Sequence, residues 1–284
     1  MILTKPRINA LLLFTAYSAA IVAADGFPDL KTTFVLLFGL GLSGGGAAAF
    51  NMWYDRDIDQ IMSRTQNRPL PEGVIKPNHA LTFAIILGVL SFFVFYIGAN
   101  SLSAILSVAG YLYYAVVYTV LLKRRTPQNI VIGGGAGAIP PLIGWAVVTG
   151  DLSLTAWAMF FIIFFWTPAH FWALALYKNS DYKRAKVPMM PVVRGARTTK
   201  IQSFIYTLIL FFTIIGLSVI HSFGLFYSIT SGLAGLTFLF VTWRLIFEPD
   251  DKVIWAKRTF IASLIVLPAL FSLMVAVTLW TSLI

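Results

Sequence analysis

The chain has 284 residues, of which 58% are apolar and 11% are charged, less than half the roughly 25% charged residues of an ordinary soluble domain. With a mean hydropathy of +0.83, this composition excludes a soluble globular domain, a disordered chain and a nucleic-acid-binding domain. The net charge of +10 is typical of a membrane protein with basic loops on one side. The absence of cysteine excludes disulfides and thiolate metal sites.

Nine apolar stretches are long enough to cross a hydrocarbon core, which needs about 20 apolar residues per helix. We expect these helices at 8–24, 33–54, 80–98, 102–122, 129–148, 153–177, 201–221, 223–243 and 258–280. The first stretch has features of a signal peptide, but the eight spans that follow favour a retained helix. The sequence therefore predicts an all-α integral membrane protein, with residues 1–284 forming one transmembrane domain.

The basic residues are distributed unequally between the two faces of this arrangement. If the spans alternate from an inside N-terminus, all 21 Lys and Arg residues except Lys31 lie on one face. Cytoplasmic loops carry an excess of basic residues. We therefore expect a plasma-membrane protein whose N-terminus and two long loops, 55–79 and 178–200, are cytoplasmic and whose C-terminus is outside.

Three oxygen-bearing side chains recur every four residues where the second span ends: Asn51, Asp55 and Asp59. If the helix continues, successive members are offset by about 40°, so they lie along one stripe. Hard oxygen ligands that leave room for phosphate oxygens suit Mg²⁺, and nearby arginines suit a diphosphate. The pattern favours a metal–diphosphate site over the alternative of solvated loop acids paired with Arg56, Arg64 and Arg68.

The second long loop, 178–200, holds one acid and many bases. Its single carboxylate, Asp181, can complete a second metal site that faces the first. Three bases are candidate ligands of diphosphate or carboxylates: Lys178, Lys183 and Arg184. Three further bases fit a solvated loop on the positive side of the membrane: Lys186, Arg197 and Lys200.

One histidine, His170, lies inside the sixth span, about two turns from its inside end. An ionisable side chain within a membrane helix is a functional candidate by default. On physical grounds three roles are open: ligating a metal, accepting a proton, or hydrogen bonding to a neighbouring helix. Aromatic rings at this depth either pack or line a cavity, where they offer flat apolar walls to a planar macrocycle and stabilise a carbocation.

The two loops resemble the motifs of the UbiA-type intramembrane prenyltransferase superfamily. The repeat Asn51-x-x-x-Asp55-x-x-x-Asp59 is similar to its first aspartate-rich motif. Two longer strings, over 55–70 and 167–193, resemble a haem-modifying branch, the protohaem IX farnesyltransferase family. The likeness extends through nearly the whole chain.

This resemblance implies a bundle of nine transmembrane helices around a central cavity that opens sideways to lipid. It implies that farnesyl diphosphate donates its farnesyl group to a vinyl group of haem B, with addition of water, giving haem O and diphosphate. Mg²⁺ is the implied cofactor. Besides the two substrates, the implied partners are the lipid bilayer and a haem A synthase or oxidase-assembly proteins, with no nucleic acid.

The resemblance also implies roles for individual residues. It assigns catalysis and metal binding to Asn51, Asp55, Asp59 and Asp181. It assigns diphosphate binding to Arg64 and Arg68, supplemented by Lys178, Lys183 and Arg184. It assigns haem binding to His170, Phe171 and Trp172. The chain departs from the pattern in its second loop, which has one acid where many members carry two or more, and Lys186 stands in place of a glycine.

Two other functions stay open from the sequence. The first is a related prenyltransferase that uses a quinone precursor or a chlorophyll-type acceptor; the segment around His170 and the string 188–193 argue against it. The second is a cation or solute transporter with acids on its pathway. Transporters generally place their binding groups near the bilayer midplane, whereas these acids cluster at the ends of spans.

Overall fold

The computed structural model describes residues 2–63, 65–221 and 223–283, and the expected diphosphate ligand Arg64 lies outside the described residues. Within these ranges nine helices are long and apolar enough to cross a bilayer, which confirms the expected number. They are α1 (Pro6–Ala23), α2 (Leu30–Tyr54), α3 (Pro77–Gly98), α4 (Ser101–Leu122), α5 (Asn129–Thr149), α6 (Leu154–Tyr177), α7 (Gly195–Ile220), α8 (Leu225–Ile246) and α9 (Ile254–Thr281). Each predicted span overlaps one of these helices.

Local sequence signals explain where several helices begin. Pro6 and Pro77 occupy the first positions of α1 and α3, where the missing backbone N–H has no partner to lose. At the opposite end of the bundle, the side chains of Asp29, Asn100 and Ser153 accept backbone N–H groups at the starts of α2, α4 and α6. The short connections at that end therefore carry their own helix caps.

Two of the helices are irregular. Helix α4 changes from an α-helix into a wider π-helix over Tyr113–Leu122. Helix α5 consists of three helical segments, Asn129–Gly133, Gly135–Ala138 and Pro140–Thr149. Segments of π-helix are rare and are frequent near functional sites, because the extra residue per turn redirects side chains. The π segment of α4 ends on the same side of the bundle as the two long loops, which we call the site end.

Close backbone contacts hold the helix pairs together. Helix α2 packs along α3, α1 along α5, and α6 against both α7 and α9. A Cβ atom on Gly144 would lie 1.9 Å from the carbonyl oxygen of Ala16, and one on Gly46 would lie 2.9 Å from that of Ala84. Small residues at these crossings let the backbones approach, which is how membrane helices gain packing energy without a hydrophobic driving force.

The two long loops pack on each other at the site end. Ile58 and Met62 of the first loop share an apolar cluster with Tyr182 and Met189 of the second, above the ring of Trp172 on α6. Two short helices, Asn179–Arg184 and Met190–Val193, occupy the second loop. The loops therefore form one packed layer over the ends of the spans.

The second loop is shorter than expected, because α7 begins at Gly195 rather than near residue 201. Arg197 stays exposed, as predicted, but the prediction of a solvated side chain was wrong for Lys200, which is 4% exposed. Its Nζ donates hydrogen bonds of 2.6 Å to the carbonyl oxygen of Glu248 and to Oδ1 of Asp250. Lys200 thus ties α7 to the connection between α8 and α9.

Backbone geometry accounts for the unusual lysine in the second loop. Lys186 is exposed and has a φ of 51°, in the left-handed region that favours glycine. The resemblance of the second loop implies a glycine at this position, and the left-handed backbone is a physical reason for one. This chain adopts that conformation with a lysine.

Candidate active site

The acidic stripe keeps its spacing although α2 ends at Tyr54. The backbone N–H of Asp55 donates to the carbonyl of Asn51, and that of Asp59 to the carbonyl of Asp55, each at 2.9 Å. The short helix Arg56–Asp59 therefore continues the stripe beyond the end of α2. The three residues are 2%, 0% and 2% exposed in chain order, which argues against solvated loop acids.

Helix α4 and the connection after it supply the partners of Asp55. Oδ2 of Asp55 accepts a hydrogen bond from Nδ2 of Asn51 at 2.7 Å and contacts Nζ of Lys123. Arg124 lies 3.4 Å from Oδ1 of Asp55. Thr119, in the π segment, accepts a second hydrogen bond from Nδ2 of Asn51 at 3.1 Å. The redirected end of α4 thus meets the acidic stripe directly.

Lys5 is a site residue that the sequence analysis missed. Its backbone has a φ of 45°, a strained conformation that places Nζ 2.7 Å from Oδ1 of Asn51 and 3.4 Å from the hydroxyl of Tyr114. Burial, together with the charges of Arg68 and Lys123, lowers the pKa of Lys5 to about 7. The sequence signal that could have drawn attention to Lys5 was its position directly before Pro6, the first residue of α1.

Asp59 and Asp57 of the first loop have separate partners. Nη1 of Arg68 lies 2.6 Å from Oδ2 of Asp59, so the predicted ligand Arg68 does join the site. Asp57 is 60% exposed at its side chain, and both its oxygens accept hydrogen bonds of 2.7 Å from Arg124. These bonds lower the pKa of Asp57. Asp57 thus lies at the surface, away from the buried stripe.

The second loop joins the first through Asp181, which is 8% exposed. Its Oδ2 accepts a hydrogen bond of 2.7 Å from the hydroxyl of Ser63, and its Oδ1 contacts Arg184. Arg184 also donates from Nε to a carbonyl of the first loop at 3.2 Å. Lys178 and Lys183 are exposed, and neither forms an ion pair with a carboxylate in the described part of the chain.

The side chains around the acidic stripe provide some of the oxygen ligands that Mg²⁺ requires. Within the described ranges, no group of three or more His, Asp or Glu side chains lies close enough to enclose a metal ion. Proteins usually bind Mg²⁺ through one or two carboxylates plus substrate phosphates rather than through an all-protein cage. The buried oxygens of Asn51, Asp55 and Asp59 fit that arrangement. Asp181 contacts Ser63 and Arg184 instead.

The charges around the stripe favour an anionic ligand. Three basic side chains, Lys5, Arg68 and Lys123, surround the two buried carboxylates of Asp55 and Asp59, and Arg124 approaches Asp55 as well. Basic side chains grouped where solvent is largely excluded attract anions and bind phosphate oxygens strongly. The group is thus suited to a diphosphate accompanied by a divalent cation.

His170 lies between α6 and α9. Its Nδ1 is 2.7 Å from Oγ of Ser263, and its ring stacks on Trp166 and Phe260 at centroid distances of 4.3 and 4.8 Å. Oγ of Ser263 also donates its one proton to the carbonyl of Phe260 at 2.5 Å. A hydroxyl that donates to Phe260 accepts from Nδ1–H, and this arrangement favours the tautomer with its lone pair on Nε2.

The aromatic residues after His170 differ in accessibility. Phe171 is 36% exposed, with its ring centroid 4.9 Å from that of His170. Trp172 is 0% exposed and packs on Tyr206 of α7 at 5.7 Å. A wholly buried side chain has no free face for a macrocycle. The structure thus leaves His170 and Phe171 as candidates for haem contact and places Trp172 in the packing beneath the second loop.

Comparison with known proteins decides the family. Residues 12–264 match the UbiA prenyltransferase family. The chain belongs to the UbiA prenyltransferase family. The superfamily resemblance of the two loop motifs is thereby confirmed, and this UbiA-family chain is an integral membrane protein.

Curated relatives support the narrower resemblance of this UbiA-family chain. A protein named Protoheme IX farnesyltransferase from Symbiobacterium thermophilum is 51% identical over 269 residues, covering 95% of this chain and 90% of the relative. One of the same name from Bartonella bacilliformis is 45% identical over 274 residues, covering 96% of this chain and 88% of the relative.

Solved structures confirm the fold of the UbiA-family chain. A structure of digeranylgeranylglyceryl phosphate synthase matches with a TM-score of 0.83 at 16% identity, over 98% of this chain and 96% of that one. A UbiA homolog from Archaeoglobus fulgidus bound to GPP and Mg²⁺ matches with a TM-score of 0.71 at 17% identity, over 96% of this chain and 98% of that one.

Proposed function

We propose that this chain transfers the farnesyl group of farnesyl diphosphate to a vinyl group of haem B, with addition of water, giving haem O and diphosphate. The observation that carries the proposal is the buried stripe of Asn51, Asp55 and Asp59, surrounded by bases, in a chain 51% identical to a protein named Protoheme IX farnesyltransferase. The stripe accounts for the donor, and the named relative together with the His170 segment supports the acceptor.

The diphosphate of the donor binds beside the acidic stripe. Asn51, Asp55 and Asp59 would hold Mg²⁺, which when bound supplies Lewis-acid neutralisation of the leaving group. Lys5 and Lys123 donate hydrogen bonds to the diphosphate oxygens. The C1–O bond of the farnesyl group breaks with its electron pair on the oxygen, so these bases stabilise the charge that develops there.

The other residues predicted to bind the metal or the diphosphate have supporting roles in this proposal. Asp181 fastens the second loop to the first through Ser63. Arg68 holds Asp59 and faces the same diphosphate. Three bases at the loop surface attract the anionic donor: Lys178, Lys183 and Arg184. Arg64 stays a proposed diphosphate ligand.

The acceptor reacts deeper in the bundle, in a central cavity walled by aromatic rings. C1 of the farnesyl cation bonds to the terminal vinyl carbon, and the positive charge moves to the carbon beside the porphyrin. Water adds there and loses a proton, leaving a hydroxyl group. The stacked rings of Tyr114 and Tyr118, 5.4 Å apart, stabilise the allylic cation through their faces.

The haem is oriented by the residues between α6 and α9. Nε2 of His170 carries the lone pair that haem iron requires, because Ser263 occupies Nδ1. The exposed ring of Phe171 packs on the macrocycle. Trp172 packs on Tyr206 of α7 and so holds α6 in place.

The proposed orientation follows the basic residues. The site end faces the cytoplasm and the C-terminus lies outside the plasma membrane, because all 21 Lys and Arg residues but Lys31 belong to the site end. Residues 1–284 act as one transmembrane prenyltransferase domain. A haem A synthase or oxidase-assembly protein would receive the product within the bilayer.

Product analysis tests the proposal. Membranes containing the full chain are supplied with haem B, farnesyl diphosphate and Mg²⁺, and the haems are separated and weighed by mass spectrometry. We expect a haem that has gained one farnesyl group and one water. If farnesyl diphosphate is consumed while the haem stays unmodified, the acceptor is another aromatic compound. If no prenyl diphosphate is consumed, the alternative function of a transporter is favoured.

A haem titration tests the acceptor site separately. In the purified chain without donor, His170→Phe removes the iron ligand while keeping a ring between Trp166 and Phe260. We expect a shifted haem absorption band and about tenfold weaker haem binding, the loss of roughly 1.4 kcal/mol. The matched control His79→Phe changes an exposed histidine at the start of α3 and should leave the spectrum unchanged.

A further inference from the structure

Two arginines share one indole ring at the site end of α8 and α9. The guanidinium carbon of Arg244 lies 5.0 Å from the ring centroid of Trp255, and that of Arg258 lies 4.7 Å from it. Both arginines are exposed. Neither forms an ion pair with a carboxylate in the described ranges. Both guanidinium groups are therefore available to an external anion beside Trp255.

The nearby acids are engaged elsewhere. The Glu248 carboxylate accepts backbone N–H groups of Trp255 and Ala256 at 2.6 and 3.2 Å, so it caps the start of α9. Asp250 accepts the hydrogen bond from buried Lys200. Asp251 is exposed in the same connection and contacts neither arginine within hydrogen-bond distance. The acids of this connection therefore do not neutralise the arginine pair.

The surroundings of the pair have the chemistry of a membrane interface. Arg244 lies two residues before the end of α8, about 3 Å along the helix axis. Three large rings beside it are exposed: Phe240 at 52%, Trp243 at 43% and Phe247 at 68%. Exposed aromatic residues at the ends of spanning helices lie at the headgroup level of a bilayer, with apolar faces towards the acyl chains.

We propose that Arg244, Trp255 and Arg258 form a binding site for the headgroup of an anionic phospholipid in the leaflet at the site end. The two guanidinium groups bind phosphate oxygens, and the exposed rings contact the upper acyl chains. Basic pockets between spanning helices are a recognised location for such headgroups. The site lies apart from the acidic stripe and does not depend on the proposed reaction.

Lipid retention tests the proposal. The full chain is reconstituted in phosphatidylcholine nanodiscs with a minor fraction of phosphatidylglycerol, released, and weighed intact by mass spectrometry to count bound lipids. The double variant Arg244→Gln with Arg258→Gln should bind phosphatidylglycerol about 100-fold more weakly, since each direct hydrogen bond from a guanidinium group to the phosphate contributes about tenfold.

A matched control separates a site from general surface charge. Lys76→Gln with Arg197→Gln removes the same charge from exposed positions at the same end of the bundle. This control should retain phosphatidylglycerol as the unmodified chain does. Equal losses in the two double variants would overturn the proposal, because the lipid would then respond to net charge alone.

The source of the phosphate is tested by competition. Glycerophosphoglycerol is the same phosphodiester headgroup without acyl chains, and it should fail to displace the lipid. Displacement at equal concentration would overturn the lipid as ligand in favour of a free phosphate compound. If the double variant does not fold, Arg258→Gln alone carries the test, with an expected loss of about tenfold.

Discussion

Two buried groups of charges lie at the same end of this molecule and differ in their balance. Around Asp55 and Asp59, three bases from three parts of the chain surround two carboxylates: Lys5, Arg68 and Lys123. Around Lys200, the ammonium group has one carbonyl and one carboxylate as partners.

The balance of charge indicates what each group does. A buried charge whose recorded partners all belong to its own chain contributes structure, as Lys200 does by tying α7 to the connection before α9. A group with more basic side chains than carboxylates can bind a further anion, and the acidic stripe provides oxygen ligands for a cation as well. The first group is therefore suited to a ligand and the second to the fold.

The largest loss of turnover is expected from a substitution in the acidic stripe. Asp55→Asn should lower turnover at least about 100-fold, since removing one preorganised electrostatic group from an active site costs about 10²–10³ in rate. The control Asp57→Asn removes the same charge from a side chain that is 60% exposed. It should lower turnover less than about tenfold, since exposed pairs contribute little. Equal losses would contradict the separate roles of these two acids.

The next effect distinguishes the bases that the structure brings to the stripe from those outside it. Lys5→Gln or Lys123→Gln should raise the KM for farnesyl diphosphate about 10- to 100-fold, because a hydrogen bond to a charged group contributes about 1.5–3 kcal/mol. Lys178→Gln and Lys183→Gln are the controls, with a much smaller change in KM. A reversed order would favour the sequence-based assignment over the structural one.

A substitution of Lys200 should change the stability of the protein rather than its turnover. Lys200→Met should lower the free energy of unfolding in detergent by about 1–3 kcal/mol, because the carbonyl of Glu248 loses its donor in a buried position. Turnover per folded molecule should be unchanged. Arg197→Met, on the exposed side of the same helix, should stay within about 0.5 kcal/mol. A loss of turnover in folded Lys200→Met would give Lys200 a role at the active site.

The smallest effect concerns the backbone of the second loop. Lys186→Gly should raise the free energy of unfolding by up to about 1 kcal/mol, because glycine adopts a positive φ without the steric cost that lysine bears. Lys183→Gly, in the helix Asn179–Arg184, should lower it by about 1 kcal/mol. Changes of the same sign in the two variants would contradict this account of Lys186.

The sequence by itself determined the features that depend on short stretches of chain. Nine spans were predicted and are present in the described ranges, because a bilayer core imposes a minimum apolar length on each helix independently of its neighbours. The spacing of Asn51, Asp55 and Asp59 was likewise visible, because hydrogen bonds between residues four apart are local.

Only the tertiary structure decided which side chains meet across the bundle. Lys123 reaches Asp55 over 68 residues of chain, and Lys5 reaches Asn51 over 46. Neither lysine was among the bases of the two long loops that were predicted from the sequence to bind diphosphate. Lys200 was predicted to be solvated and is buried. These contacts depend on the crossing of α1, α2 and α4 and on the π-helical end of α4, and helix crossings are set by packing between distant segments, which local periodicity does not encode.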